Sequence, residues 1–221
     1  MKTLIIIPAY NEQDNISSLI KDITSYGYDY LIINDCSKDN TAEILDKNNY
    51  NHIDLPINVG LAGVTQIGFM YAYDNDYDCV VNIDGDGQHQ PAYVNTLIKE
   101  IENGSDYVVG SRFVDKKKPM SLRMLGSRLI CLAIKLKTGK KVSDPTSGMR
   151  ALGRNVIEKF SKSMNFYAEP DALSFLLKKK CKVKEVQVEM KERENGESYF
   201  TNPFKSIYYM LAVLLSILFE Q

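Results

Sequence analysis

The sequence predicts an α/β fold built on a central, mostly parallel sheet. Two observations carry that expectation. Short apolar runs alternate with helical patterns through the first half of the chain, and each run is followed by a polar or glycine-bearing segment. Residues 3–7 form an apolar strand pattern that ends at Pro8, and residues 12–25 follow with Ile16, Leu19, Ile20 and Ile23 at helical spacing. Residues 30–33 read as a second strand, 41–47 as a helix, 52–55 as a short third strand and 60–73 as a further helix. Residues 79–83 are short, rich in β-branched side chains and bounded by turn formers, as a buried strand should be. Pro91 suits the first turn of a helix over residues 91–102, and residues 107–109 supply a fifth strand.

The second half has a different texture. A helix over residues 121–137 carries Leu122, Leu125, Leu129, Leu132, Ile134 and Leu136 beside Arg123, Arg128, Lys135 and Lys137. It is too basic to span a bilayer and suited to lie on one. Residues 140–148 form a polar loop, 167–179 a helix, and 183–190 alternate as a strand does. Residues 207–219 are almost wholly apolar, but as a helix they reach only about 20 Å, short of the roughly 30 Å hydrocarbon core. That segment is expected to be a core, partner-docking or interfacial helix. The expected division is one domain over residues 1–203 and an apolar C-terminal helix over residues 204–221.

Length and composition suit one ordinary globular domain: 221 residues, 44% hydrophobic and 25% charged. Met1-Lys2-Thr3 runs straight into a strand pattern, so no signal peptide is expected. Cys36, Cys79, Cys131 and Cys181 are far apart and form no C-x-x-C pair, which argues against a thiolate metal site and for a reducing cytosol. The net charge of −1 hides an uneven distribution. Residues 1–111 hold 5 Lys/Arg against 17 Asp/Glu, whereas residues 112–150 hold 11 against 2. A basic block of that kind calls for an anionic partner. Nucleic acid is a poor fit, because aromatics do not interleave with the cations.

The most informative stretch is Asp84-Gly85-Asp86-Gly87-Gln88-His89. Strands of open α/β sheets carry ligands at their carboxyl ends, and here two carboxylates stand one residue apart at such an end. Hard oxygen donors suit Mg²⁺ or Mn²⁺, and Mg²⁺ is commonly held by one or two carboxylates together with substrate phosphates. Gly85 and Gly87 permit the turn and leave room for a ligand. The other predicted strands end comparably, in Pro8-Ala9-Tyr10-Asn11-Glu12, Asn34-Asp35-Cys36-Ser37, Asn58-Val59-Gly60 and Gly110-Ser111-Arg112. Packing alone does not call for polar ends at five successive strands; a nucleotide site does. Residues 58–68 match neither a P-loop nor a G-x-G-x-x-G after a strand, which weakens ATPase and dehydrogenase readings. His89 is placed to approach a diphosphate, zinc chemistry lacks soft ligands nearby, and His52 is expected to be structural or exposed.

Taken in order, these motifs resemble the family 2 glycosyltransferases of GT-A fold, a Rossmann-like three-layer arrangement. The similarity covers roughly residues 2–200. It is greatest to the dolichol-phosphate mannosyltransferase and polyprenyl-phosphate glycosyltransferase branch. Gln88 supports that branch, as does Ser143-Asp-Pro-Thr-Ser-Gly-Met-Arg150, similar to D-x-T-S-G-F-R. So does Arg193-x-x-Gly196-x-Ser198, where Tyr199 stands in place of the family's lysine.

The resemblance implies roles. Pro8, Tyr10, Glu12, Asp35, Ser37, Asn58, Gly60, Asp84 and Asp86 would bind the nucleotide sugar, and Asp84, Asp86 and Gln88 would hold Mg²⁺ or Mn²⁺. Arg112, Arg123, Ser127, Arg193 and Ser198 would hold the phosphate of the acceptor. Asp86, Arg112, Arg123, Arg193 and Glu169 are the candidate catalytic residues. Arg123 and Ser127 are four apart and share one helical face, and guanidinium groups bind phosphate bidentately. The implied activity is inverting, metal-dependent transfer from UDP-glucose, UDP-N-acetylglucosamine or GDP-mannose to undecaprenyl or dolichyl phosphate, in cell-envelope glycan synthesis. It would take place peripherally at the cytosolic membrane face.

Alternatives stay open at this point. A hydroxyl acceptor would need a carboxylate base, for which Glu169 and Asp171 are the candidates. A non-catalytic nucleotide- or membrane-binding subunit of the same fold is the third reading. Attachment to the membrane surface would use interfacial helices, a small membrane-protein partner or self-association.

Overall fold

The computed structural model describes residues 1–163, 169–192 and 203–220. Seven strands form one sheet: β1 (Thr3–Ala9), β2 (Asp29–Asn34), β3 (His52–Asp54), β4 (Cys79–Asn82), β5 (Tyr107–Ser111), β6 (Arg150–Gly153) and β7 (Val183–Gln187). Their order is β3-β2-β1-β4-β6-β5-β7. Only β6 runs against its neighbours; every other pairing is parallel. The helices are α1 (Ile16–Ser25), α2 (Thr41–Lys47), α3 (Gly60–Asp74), α4 (Val94–Glu102), α5 (Leu122–Thr138), α6 (Arg154–Lys162), α7 (Glu169–Lys178) and α8 (Pro203–Leu215).

Alternation along the strands explains the layering. Ile5 and Ile7 of β1 face one way and pack with Ile16, Leu19, Ile20 and Ile23 of α1, Leu45 of α2 and Leu97 of α4. Leu4 and Ile6 face the other way, toward Phe69 of α3, Ile130 and Ile134 of α5, Phe160 of α6 and Leu173 of α7. The sheet is therefore covered on both faces, the three-layer α/β arrangement that the resemblance implies. Val213 of α8 and Ile217, in the π-helical turn Ser216–Glu220, are fully buried within the second of these clusters. These two side chains pack the C-terminal helix against the helices on that face.

Three local differences from the sequence expectation have physical causes. The helix expected from residue 12 begins at Ile16, because the Glu12 carbonyl accepts from the N–H groups of Asn15 and Ile16 in a turn. The helix expected from residue 91 opens with a 3₁₀ turn, Pro91–Tyr93, before α4. β6 and α6 lie where the sequence expectation places no element, and β6 has the larger consequence. Its reversed direction brings the segment before it, residues 143–149, to the edge where the parallel strands end.

Candidate active site

The carboxyl edge of β1, β2 and β4 is stitched into one surface by hydrogen bonds between its loops. The Asp35 N–H donates to the Ala9 carbonyl at 2.9 Å, and the Gly85 N–H donates to the Pro8 carbonyl at 3.2 Å. Ser37 Oγ accepts from the Asn11 N–H at 2.9 Å, and Asn11 Oδ1 accepts from the Lys38 N–H at 2.8 Å. Asn11 and Cys36 hold φ of 57° and 58°, the left-handed region, so these turns are fixed rather than relaxed. Glu12 is buried; its N–H donates to Thr41 Oγ1, and its Oε2 accepts from the Asn15 amide at 2.7 Å. Tyr10, by contrast, is exposed on the rim beside Pro8.

Asp35 does structural work within that surface. Its two carboxylate oxygens accept from the Val59 N–H at 2.7 Å and the Gly60 N–H at 3.0 Å, at the start of α3. The Asn58 amide donates to the Asp35 carbonyl at 3.0 Å. An anion at a helix N-terminus is favoured by the helix dipole and by otherwise unmet N–H groups. Gly60 has φ of 75°, a conformation a side chain would strain. Asp35, Asn58 and Gly60 are therefore one unit.

The acidic loop after β4 is ordered by its own backbone. His89 is almost fully buried; its Nδ1 accepts from the Asp84 N–H at 3.0 Å and lies 3.6 Å from Asp84 Oδ2. Asp86 Oδ1 accepts from the Gln88 N–H at 3.0 Å. The Gln88 amide nitrogen donates to the Lys191 carbonyl at 3.3 Å, which leaves its Oε1 as the outward acceptor. Gly148, in the segment before β6, lies against this loop, where a Cβ would collide with Asp84 Oδ2 and stand 2.9 Å from His89 Cε1. Two carboxylates and an amide oxygen on a glycine-lined turn are hard donors, a set that fits Mg²⁺ or Mn²⁺. Among the described residues, three His/Cys/Asp/Glu ligand atoms lie within 4.8 Å of one another at Asp46, His52 and Asp54 instead. There His52 Nδ1 bonds the Tyr50 carbonyl and Nε2 lies 3.4 Å from each carboxylate, a contact group on the edge strand.

Basic residues stand on the other side of this edge. Arg112 follows β5 directly and forms a two-point pair with Asp144, at 2.7 and 2.9 Å. Asp144 is fully buried and also accepts from the Arg112 N–H. Glu185 of β7 holds the same segment, accepting from the N–H groups of Ser143 and Asp144 and from Ser143 Oγ. Arg150, 2% exposed, donates to the Ser147 and Pro145 carbonyls and to Tyr107 Oη. The segment resembling D-x-T-S-G-F-R is thus a braced loop whose arginine is internal. Ser127, on α5, is buried and accepts from Lys118 Nζ at 2.8 Å.

Arg123 stands in the first turn of α5 and Glu169 opens α7, but the side chains of both lie outside the described residues, as do Arg193 and Ser198 entirely. Asp171 is fully buried, with Oδ1 accepting from the Ala172 N–H and Oδ2 from Ser216 Oγ, both at 2.8 Å. That carboxylate ties α7 to the C-terminal turn. Two contributors escaped the sequence reading: Lys118, and Gly148 as the floor of the acidic loop. The glycine within Ser143–Arg150 is the sequence signal for that role.

Comparison with known proteins fits this geometry. The pattern of Glycosyl transferase family 2 matches residues 4–161. A UDP-N-acetylglucosamine–dolichyl-phosphate N-acetylglucosaminyltransferase of Methanococcus voltae is 32% identical, over 94% of this chain and 94% of that protein. A dolichol-phosphate mannosyltransferase of Pyrococcus furiosus is also 32% identical, over 90% of this chain and 59% of the relative. The crystal structure of glucosyl-3-phosphoglycerate synthase from Mycobacterium tuberculosis, with Mn²⁺, UDP and phosphoglyceric acid, shares the fold. It has a TM-score of 0.74 at 18% identity, over 99% of this chain and 78% of that one. The chain belongs to glycosyl transferase family 2, and it is a glycosyltransferase.

Proposed function

We propose that this family 2 glycosyltransferase moves a sugar from a nucleotide diphosphate sugar to the phosphate of a polyprenyl lipid, with inversion, at the cytosolic face of a membrane. The observation that carries the reading is the division of one sheet edge into two sides. Asp84, Asp86 and Gln88 stand with the Asp35 unit on one side, and Arg112 stands with the α5 residues on the other. The names of the Methanococcus and Pyrococcus relatives support a lipid-phosphate acceptor.

The residues divide the work. Pro8, Tyr10, Glu12 and the Asp35–Asn58–Gly60 unit, with Ser37 bracing the Asn11 turn, shape the nucleoside pocket. Asp84, Asp86 and Gln88 would hold Mg²⁺ or Mn²⁺, which supplies positive charge to the departing diphosphate when bound. The Mn²⁺ and UDP named in the mycobacterial structure support that assignment. Arg112, Arg123, Ser127, Arg193 and Ser198 present the acceptor. One acceptor phosphate oxygen attacks the anomeric carbon from the face opposite the diphosphate. The new C–O bond forms as the bond to the diphosphate oxygen breaks, and that oxygen takes the electron pair. A phosphomonoester with its second pKa near 6 is already ionised at neutral pH, so no strong base is required. Positioning and fixed charge then lower the barrier.

The exposed face of the domain supports a membrane-borne acceptor. Leu125, Leu129, Leu132 and Leu136 form an exposed stripe on α5, and Tyr208, Leu211, Leu215 and Phe219 are exposed nearby at the C-terminus. Lys135 and Lys137 flank the stripe, as suits an anionic lipid surface. Among the described residues no helix is long and apolar enough to cross a membrane, so the contact proposed is interfacial. The test is transfer by Arg123→Ala and Arg193→Ala variants: both should lose transfer to lipid phosphate. Transfer surviving both changes would overturn the lipid-phosphate assignment.

A further inference from the structure

We propose that Lys118 is a further ligand of the acceptor phosphate, a cation poised on Ser127 until the acceptor arrives. This rests on the lipid-phosphate reading and adds to it a residue that none of the quoted motifs contains. Lys118 lies in the connection between β5 and α5. Its ammonium group donates to Ser127 Oγ at 2.8 Å and to Cys131 Sγ at 3.3 Å. Arg128 clamps the backbone there, donating to the Lys118 carbonyl at 2.9 Å and the Pro119 carbonyl at 3.3 Å. The lysine is therefore held in place by α5.

Beside the acceptor-side Arg112, which is paired with Asp144, Lys118 has no carboxylate partner among the described residues. Arg112, Lys116, Arg154, Lys162 and Lys184 each lie against a carboxylate. Arg112 in particular spends much of its fork on Asp144. Among the described residues, Lys118 donates to a hydroxyl and a thiol and faces the Phe113 ring, all neutral. Burial pushes the Cys131 thiol up despite the nearby ammonium, so it stays protonated and does not neutralise the lysine. A half-buried ammonium paired with weak neutral acceptors gains most when a strong anionic acceptor comes within reach.

The position fits that anion. The Phe113 ring has the Arg112 guanidinium 5.2 Å from its centroid and the Lys118 ammonium 5.4 Å from it, so the two cations share one aromatic neighbour. Ser127 stands one helical turn beyond Arg123. Accepting from Lys118 leaves the Ser127 hydroxyl proton to donate to a phosphate oxygen. Lysine supplies a movable point charge, where arginine would fix a fork.

The test is steady-state transfer by the full chain to undecaprenyl phosphate in detergent, comparing wild type with Lys118→Met and Lys118→Arg. Lys118→Met should raise the KM for the lipid phosphate at least about tenfold, the loss typical of a charge-assisted hydrogen bond. The KM for the nucleotide sugar should stay within about twofold, and Lys118→Arg should recover most of the acceptor affinity. Inorganic phosphate should compete with the lipid in wild type and less well in Lys118→Met. Lys118→Gln gives the same comparison where the methionine variant does not fold. An acceptor KM unmoved in the neutral variants, or equal rises for donor and acceptor together with a fall in melting temperature, would overturn the inference. If wild type glycosylates a hydroxyl and never a lipid phosphate, the underlying reading falls, and this inference with it.

Discussion

Arg112 and Asp144 meet in a two-point ion pair whose acidic partner has no exposed surface. They stand 32 positions apart in sequence, and the reversed direction of β6 brings them together. The pair orients the arginine at the end of β5 and anchors the segment before β6 under the acidic loop. Removing one partner of a buried pair strands the other.

Asp144→Ala should therefore cost about 3 kcal/mol or more, lowering the melting temperature by roughly 6–12 °C for a chain of this size. Thermal unfolding followed by circular dichroism checks it. A change of only a degree or two would mean that the pair contributes little to the fold.

Asp35→Ala should remove both side-chain acceptors at the start of α3, at a cost of about 1–2 kcal/mol. The KM for the nucleotide sugar should rise with it, because the Asn58–Gly60 turn loses its anchor. Urea denaturation and steady-state kinetics on one preparation measure the two effects together. An unchanged midpoint with an unchanged KM would contradict the role given to Asp35.

Gly148→Ala puts a methyl group where the Asp84 carboxylate and the His89 ring already stand. Cation-dependent turnover should fall by at least about tenfold while the far-ultraviolet spectrum stays that of wild type. Full activity would show that the acidic loop does not need its present geometry.

These cases show what the sequence could and could not reveal. The helix over residues 41–47 matches α2 to the residue, and the apolar spacing of Ile16, Leu19, Ile20 and Ile23 identified the buried face of α1, because both signals are local. The Asp84–His89 loop was legible for the same reason. β6 was not: four residues containing an internal arginine and a glycine carry no strand periodicity. Its partners decide its state. Val156, Ile157 and Phe160 carry a local helical signal for α6. The roles of Asp35, Arg112 and Lys118 depend on contacts 9 to 32 residues away, which spacing alone cannot specify.

The leucine stripe of α5 makes a separate prediction. Leu129 and Leu132 are 42% and 51% exposed, so changing both to Asp should leave thermal stability nearly unchanged. The double variant should sediment less with vesicles containing anionic lipid than wild type does. Equal sedimentation would move the membrane contact to another face.

The most direct measurement is a donor screen with undecaprenyl phosphate, comparing wild type and Asp86→Ala with Mg²⁺ or Mn²⁺ and with chelator. Labelled UDP-glucose, UDP-N-acetylglucosamine and GDP-mannose are supplied in turn, and radioactivity is counted in the organic phase. The account predicts a glycolipid from one of these donors, made by wild type only with the cation and reduced at least about a hundredfold in Asp86→Ala. Glycolipid formed equally well by Asp86→Ala, or by wild type in the presence of chelator, would contradict it.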